Sequence, residues 1–375
     1  MLGPPVITAR SDVVGSLLRP LELLEARGRH ATGRLSDAEF KAVEDQAVDA
    51  AVELQEQVGL EVVTDGEMRR LSFQSSLVDA TEGCGEVPLD AFLWGEWHSD
   101  TLGSERIDRP SRLGVVGRLR ARRAMAAEEL TYLRARTSRV PKVTLASPSL
   151  HQNLWSGERS TAAYPTLDDF LADVVELYRR EIAELARLGA RYIQLDAPHY
   201  LQLVDPRWRS FHSERGSSPE RWLGQAVEAD NAVMTGHPEV TFGLHLCRGN
   251  QKGRWLFAGD YEPVAAHVLR TTAAQRLLLE YDDERSGGFE PLRQVPDDRM
   301  VVLGLVSTKY PRRESVAEVT SRVREASSYV DLDRLAVSPQ CGFSSSVVGN
   351  PLTPADERAK LSTVVRAAAS LFGES

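Results

Sequence analysis

LDDFLADVVELYRREIAELARLGARYIQLDAP, residues 167–198, holds the grammar of the whole chain: an amphipathic helix, a break at Gly189, a short apolar run, and a polar residue, Asp196, where the run ends. Helices that alternate with near-continuous apolar runs point to a parallel sheet buried under helices on its faces. The same order occurs earlier. Ser36 opens a long helix with Glu39 three places on, a capping box, and Phe40, Val43, Ala47, Ala51, Val52 and Leu54 supply its apolar stripe. Gly59 closes that helix, and LEVVTDGE (60–67) then reads as a strand ending at Asp65 and Glu67.

Runs of this kind stand at VVGS (13–16), VVTDGE (62–67), KVTLASPS (142–149), RYIQLDAP (191–198), TFGLHLC (241–247), RLLLEYD (276–282), VVLGLVS (301–307) and RLAVSPQC (334–341). They predict an α/β fold, a (β/α)8 TIM barrel spanning residues 1–375 as one domain. Two segments exceed the repeating unit. An excursion between strands 2 and 3, at about residues 85–125, contains DAFLWGEWHSD and LGVVGRLRARR and is expected to carry a short antiparallel pair. Its Trp94 and Trp97 either cap the mouth or bury an oligomer contact, the second being preferred. HYLQLVDPRWRSFHSERGSSPERW (199–222) is expected as a loop over the mouth.

In such a barrel chemistry sits at the carboxyl ends of the strands, and the ends here are polar or reactive. His245 and Cys247, two apart, project to the same side of a strand. A lone His-x-Cys also serves as ordinary packing, but Glu280 and Cys341 end two further runs, and together the four make a tetrahedral set of two sulfurs, a nitrogen and an oxygen suited to zinc. Among the mouth histidines, His151, His199 and His212, His199 is nearest Asp196 and is the candidate proton relay.

Composition narrows the class. A net charge of −9 argues against nucleic-acid or anionic-membrane partners, which are recognised through excess Lys and Arg. No apolar stretch approaches a bilayer span and the start lacks the pattern of a signal peptide, so a cytoplasmic protein is expected. Three cysteines in 375 residues do not read as a disulfide framework, and reduced thiols are expected.

HLCRGN, LLLEYDDERSGGFEPL, VVLGLVSTK, LAVSPQCGFSS, VVGSLLRP and VVTDGEMRR resemble the short, single-barrel relatives of cobalamin-independent methionine synthase over nearly the whole chain. The resemblance implies a Zn2+ methyltransferase in which a thiol, homocysteine above all, binds the metal as thiolate and attacks a methyl donor. It implies metal ligands His245, Cys247, Glu280 and Cys341, with Glu280 the exchangeable one. It also implies a substrate site in which Ser16 holds the carboxylate and Glu67 and Asp196 hold the ammonium group. Arg19 is placed with them; with Arg69 and Arg70 it would supply the cationic pocket needed if the thiol were coenzyme M opening an epoxide, the alternative within the same family. A non-catalytic zinc-binding barrel is the other alternative. A homo-oligomer is expected.

The departures from full-length cobalamin-independent methionine synthase are informative. KVTLASPSL carries Ala146 and Ser147 where a pterin would stack on an aromatic, Asp196-Ala197-Pro198 lacks a carboxylate, and Ser307, Thr308 and Lys309 stand where a histidine is expected. Together they imply a donor that needs neither stacking nor protonation, such as methylcobalamin on a partner protein or a small S-methyl or N-methyl compound.

Overall fold

The computed structural model describes residues 7–89, 92–110, 112–214 and 218–373. Its strands in chain order are β1 (Val62–Val63), β2 (Thr81–Cys84), β3 (Gly95–Trp97), β4 (Glu105–Ile107), β5 (Val115–Ala121), β6 (Val140–Ala146), β7 (Tyr192–Asp196), β8 (Thr241–Leu246), β9 (Arg276–Glu280), β10 (Met300–Val306) and β11 (Leu335–Pro339). Seven of them form one curled sheet in the order β1-β6-β7-β8-β9-β10-β11, with every neighbouring pair parallel. All carboxyl ends therefore lie along one rim.

The helices form as their sequences predict. Ser36 and Glu39 make a reciprocal capping box at the start of Asp37–Val58, and Gly59 ends it at φ 89°, a left-handed conformation that glycine adopts without strain. Leu167–Arg187 begins with a second such box, Thr166 with Asp169. Its Phe170, Val174, Tyr178, Ile182 and Leu185 are buried in the main core between helices and sheet. Two crossovers are shorter than expected: only the turn Glu262–Ala265 lies between β8 and β9, and between β9 and β10 the chain makes short 3₁₀ turns.

The expected first strand at 13–16 is not a strand. The segment joins the sheet by one parallel bridge, Ser11 to Val337 of β11, and three of its carbonyls are taken by side chains. The Val13 carbonyl accepts from Lys142 Nζ, that of Val14 from Gln194 Nε2 at 2.8 Å, and that of Gly15 from Thr64 Oγ1 at 2.6 Å. Competition of the same kind shortens β1 to two residues. Gln55, from the preceding helix, accepts from Thr64 N and donates to Thr64 O, occupying both groups that a longer ladder would use.

The excursion holds two antiparallel pairs, β2 with β5 and β3 with β4, where one was expected. It is fastened to the sheet side by the antiparallel bridge His98–Trp255. The expected loop after β7 is largely helical: Pro198–Val204 is a 3₁₀ helix whose seven residues are all buried, followed by the helices Pro206–Glu214 and Pro219–Met234. The His212 side chain lies outside the described residues. Among the described residues no helix is long and apolar enough to cross a membrane.

Candidate metal centre

Alternation along the strands sorts the concave face into layers. Lys142, Tyr192 and Arg276 belong to the lower layer and Thr144 and Gln194 to the middle one. Asp196, His245 and Glu280 share the upper layer, with Asp196 in register with His245 and Glu280 with Gly304. Cys247 follows His245 by two residues just past the end of β8, and Cys341 lies two past β11. Gly243 on the same face leaves space for its neighbours, since a Cβ there would stand 3.1 Å from both the Tyr192 ring and Leu278 Cδ1.

His245, Cys247 and Cys341 each offer a ligand atom, and these atoms all lie within 4.8 Å of one another. The two sulfurs are 3.7 Å apart. His245 Nδ1 is 3.3 Å from the Leu278 carbonyl, which as an acceptor directs the ring proton to Nδ1, while Nε2 is buried with no hydrogen-bond partner among the described residues. An orphaned imidazole nitrogen beside two buried sulfurs fits a soft or borderline metal ion. The cluster also shares its protons unequally. The Cys247 S–H, above all, holds Cys341 well below the usual thiol range, and its neighbour Cys341, together with burial, pushes Cys247 well above it.

Glu280 stands beside this group rather than inside it. It is fully buried, with Oε1 2.9 Å from Lys309 Nζ and Oε2 accepting from Arg248 N at 2.5 Å. Lys309 is itself buried and lies 3.6 Å from Asp282. Burial works against its charge, but Asp282 and Glu280 outweigh it and keep the ammonium protonated.

The cluster opens into a cleft of about 700 Å³, counting its open mouth, and Ser16, Glu67 and Asp196 line that cleft too. Asp196 accepts from Gln194 Nε2 at 2.7 Å, yet burial, offset in part by His245 and reinforced by Glu67, raises its carboxyl to about 7. Glu67 sits at φ 55°, an unusual conformation for a side-chain-bearing residue, braced by Asp65 Oδ1 accepting from its N–H at 2.9 Å. Its Oε1 accepts from Thr144 Oγ1 at 2.8 Å, and its Oε2 is buried without a hydrogen-bond partner among the described residues. Two glycines make this approach possible: a Cβ on Gly15 would lie 2.8 Å from Glu67 Oε1, and one on Gly342 would lie 2.0 Å from Ser16 Oγ.

Arg19 does not line the cleft. Its Nη1 donates to the Ser344 and Ser346 carbonyls and its Nη2 to those of Glu67 and Arg70, so it braces the rim. Arg69 is paired with Asp45 and Arg70 chiefly with Glu129, both at 2.5 Å. His199 is fully buried away from the cleft, with Nε2 2.8 Å from Ser149 Oγ, because the 3₁₀ helix that carries it packs inward. His151 is likewise buried against Tyr178, and burial lowers it to about 3. Trp97 is 2 % exposed and lines the cleft with Leu89 and Leu93, so that ring is spent on the cleft, while Trp94 is half-buried against Trp208.

Three features escaped sequence reading: the apolar wall of Phe73, Leu89 and Leu93, the amide of Asn250, and the pairing of Lys309 with Glu280. For Lys309 a signal existed, since it follows an apolar run as the other site residues do.

The model of the family "Cobalamin-independent synthase, Catalytic domain" matches residues 8–369. The chain belongs to this family. The chain is 33% identical over 369 residues, 95% of it and 93% of the relative, to the uncharacterized protein YxjH of Bacillus subtilis. It is 25% identical to the methionine synthase of Thermococcus kodakarensis, covering 89% of this chain and 86% of that one. The fold of this cobalamin-independent synthase domain is similar to the crystal structure of the putative vitamin-B12 independent methionine synthase from Listeria monocytogenes. There the TM-score is 0.74 at 23% identity, covering 99% and 100% of the two chains.

Proposed function

We propose that the protein is a zinc-dependent S-methyltransferase that methylates a thiol, homocysteine in the first instance, to give the thioether. The observation that carries this reading is the convergence of the His245, Cys247 and Cys341 cluster with Ser16, Glu67 and Asp196 on one cleft. His245, Cys247 and Cys341 would hold the ion, with Glu280 as the exchangeable fourth ligand. A free thiol is mostly protonated near neutral pH, its pKa being roughly 8.5, and zinc supplies the means of holding it as the thiolate nucleophile. Family membership and the methionine synthase among the relatives support the reaction class.

The chain's own residues do the positioning. Ser16 receives the amino-acid carboxylate, and Asp196 and the free oxygen of Glu67 receive the ammonium group as charge-assisted acceptors. Binding that cation draws Asp196 to its ionised form. The apolar wall of Trp97, Leu89 and Leu93 keeps water from the reacting sulfur. The methyl group then passes to sulfur as the donor's leaving group departs with its bonding pair. Ala146 and Ser147 offer no stacking platform, which favours a donor other than methyltetrahydrofolate. The coenzyme M alternative loses its support, because Arg19, Arg69 and Arg70 are spent on carbonyls and carboxylates. A barrel of eight staves also belongs to this proposal, with residues 11–16 as the eighth, tied by the Ser11–Val337 bridge and by Leu17 N donating to Gly66 O. So does a single domain that includes the excursion.

X-ray absorption at the zinc edge, with and without homocysteine, tests the reading directly: one additional sulfur is expected in the metal's shell. A shell that homocysteine leaves unchanged would refute it. A panel of donors (methyltetrahydrofolate, methylcobalamin, S-methylmethionine) then identifies the methyl source, with little turnover expected from the folate.

A further inference from the structure

Glu280 and Lys309 are both sealed from solvent, their side chains 0% and 1% exposed, and their contact is 2.9 Å. Such a pair persists only where the geometry offsets the cost of removing two charges from water. The second Glu280 oxygen is also committed, to Arg248 N at 2.5 Å, and that amide belongs to the residue directly after Cys247. The carboxylate is thus clamped from β10's end on one side and from the metal-binding loop on the other. Lys309 in turn has a second carboxylate, Asp282 at 3.6 Å, which gives the trio a net charge of −1 and keeps the ammonium in place when Glu280 moves.

Charge counting gives this arrangement a role. Two cysteine thiolates neutralise a divalent ion. A substrate thiolate then brings the centre to −1, and retaining a carboxylate ligand as well would bring it to −2 in a buried site, where uncompensated charge is costly. We propose that Lys309 is a positioning residue, a dock that receives Glu280 and holds it off the metal so that one coordination position stays available to the substrate sulfur. The inference rests on the zinc–thiol reading above. It adds that the ligand exchange is controlled by an ammonium group that never touches substrate.

The test compares zinc-loaded wild-type protein with Lys309→Met and Lys309→Arg, reading the metal's ligand shell by X-ray absorption and homocysteine affinity by calorimetry. Lys309→Met is expected to release Glu280 onto the ion. Zinc should then bind about tenfold more tightly and homocysteine about tenfold more weakly, with an oxygen ligand retained after homocysteine is added. Lys309→Arg, which keeps the cation, should restore the wild-type shell. Should Lys309→Met fail to fold, Lys309→Met combined with Asp282→Asn keeps the trio's net charge at −1 and makes the same prediction. Sulfur entering the shell equally, with unchanged affinities, in wild type and in the Met variant or its charge-balanced double would overturn the role of Lys309 while leaving the methyltransferase reading intact. Failure of sulfur to enter even in the wild type would refute the methyltransferase reading and this inference together.

Discussion

Asp12 and Asp196 are both buried carboxylates, one near the amino ends of the strands and one at the rim, and their surroundings drive them in opposite directions. Asp12, near the amino ends of the strands, is 2.8 Å from Lys142 Nζ and 3.1 Å from Arg276 Nη2, and it accepts from Tyr192 Oη at 2.9 Å. Burial alone would raise its carboxyl, but Lys142 and Arg276 overcome that and lower it. Asp196, at the rim, has no cation of that kind, and burial lifts it to about 7. Below the rim, Asp12, Lys142, Tyr192, Gln194 and Arg276 leave no side-chain polar atom unpaired among those described, whereas the rim holds orphaned atoms on Glu67, Trp97, His245 and Asn250. A satisfied floor beneath an unsatisfied rim is what a binding site built on a rigid support requires.

The contrast predicts that floor substitutions cost stability and rim substitutions cost function. The largest effect is expected from Cys341→Ser: metal retention after dialysis should fall at least about tenfold and methyl transfer should be lost, while unfolding of the metal-free protein shifts by no more than about 1 kcal/mol. Full metal content in that variant would break the comparison at its centre. Asp12→Ala leaves Lys142 and Arg276 buried without a counter-charge and should lose about 3–5 kcal/mol in urea unfolding, with the folded fraction still binding metal.

Asp196→Asn tests the rim's charge. Because the folded carboxyl lies near 7 and the unfolded one near 3.8, the neutral form is favoured by folding. That group's contribution therefore declines as pH rises from about 4 to about 7 and is constant above. The Asn variant of the metal-free protein should match the wild type at pH 4 and exceed it by up to about 4 kcal/mol at pH 8, while binding homocysteine more weakly. Equal stability at both pH values would show that the rim is better solvated than its burial indicates. The smallest effect is expected for Gly249→Ala, where φ is 86° and a Cβ would stand 2.7 Å from the Trp97 ring. It should cost about 1–2 kcal/mol and raise KM for the thiol more than it lowers kcat.

Much of this was legible in the sequence, for a definite reason. The two-residue alternation that puts His245 and Cys247 on one side also carries Asp196 and Glu280 to the same rim, so a parallel sheet sufficed to bring them close. Cys341 followed because it ends the last run. What alternation does not encode is which neighbour a side chain chooses. Gln55 replaces a strand partner for Thr64, Arg19 turns to carbonyls, and Glu280 turns to Lys309, and each choice depends on a residue that strand alternation does not place. The inward packing of His199 was hidden for the same reason, since the polar mixture of 199–222 resembles an exposed loop until its helices are seen.

The candidate ligands His245, Cys247 and Cys341 stand in β8 and just past the ends of β8 and β11, whereas Leu89, Leu93 and Trp97 come from a stretch threaded in before β6 and fastened at His98. On the proposed reading, reactivity and selectivity are thus written on separate pieces of the polypeptide. Exchanging the excursion between homologues, cut where it leaves and rejoins the β2–β5 pair, should retune which molecules are admitted while the ion-holding core is inherited unchanged.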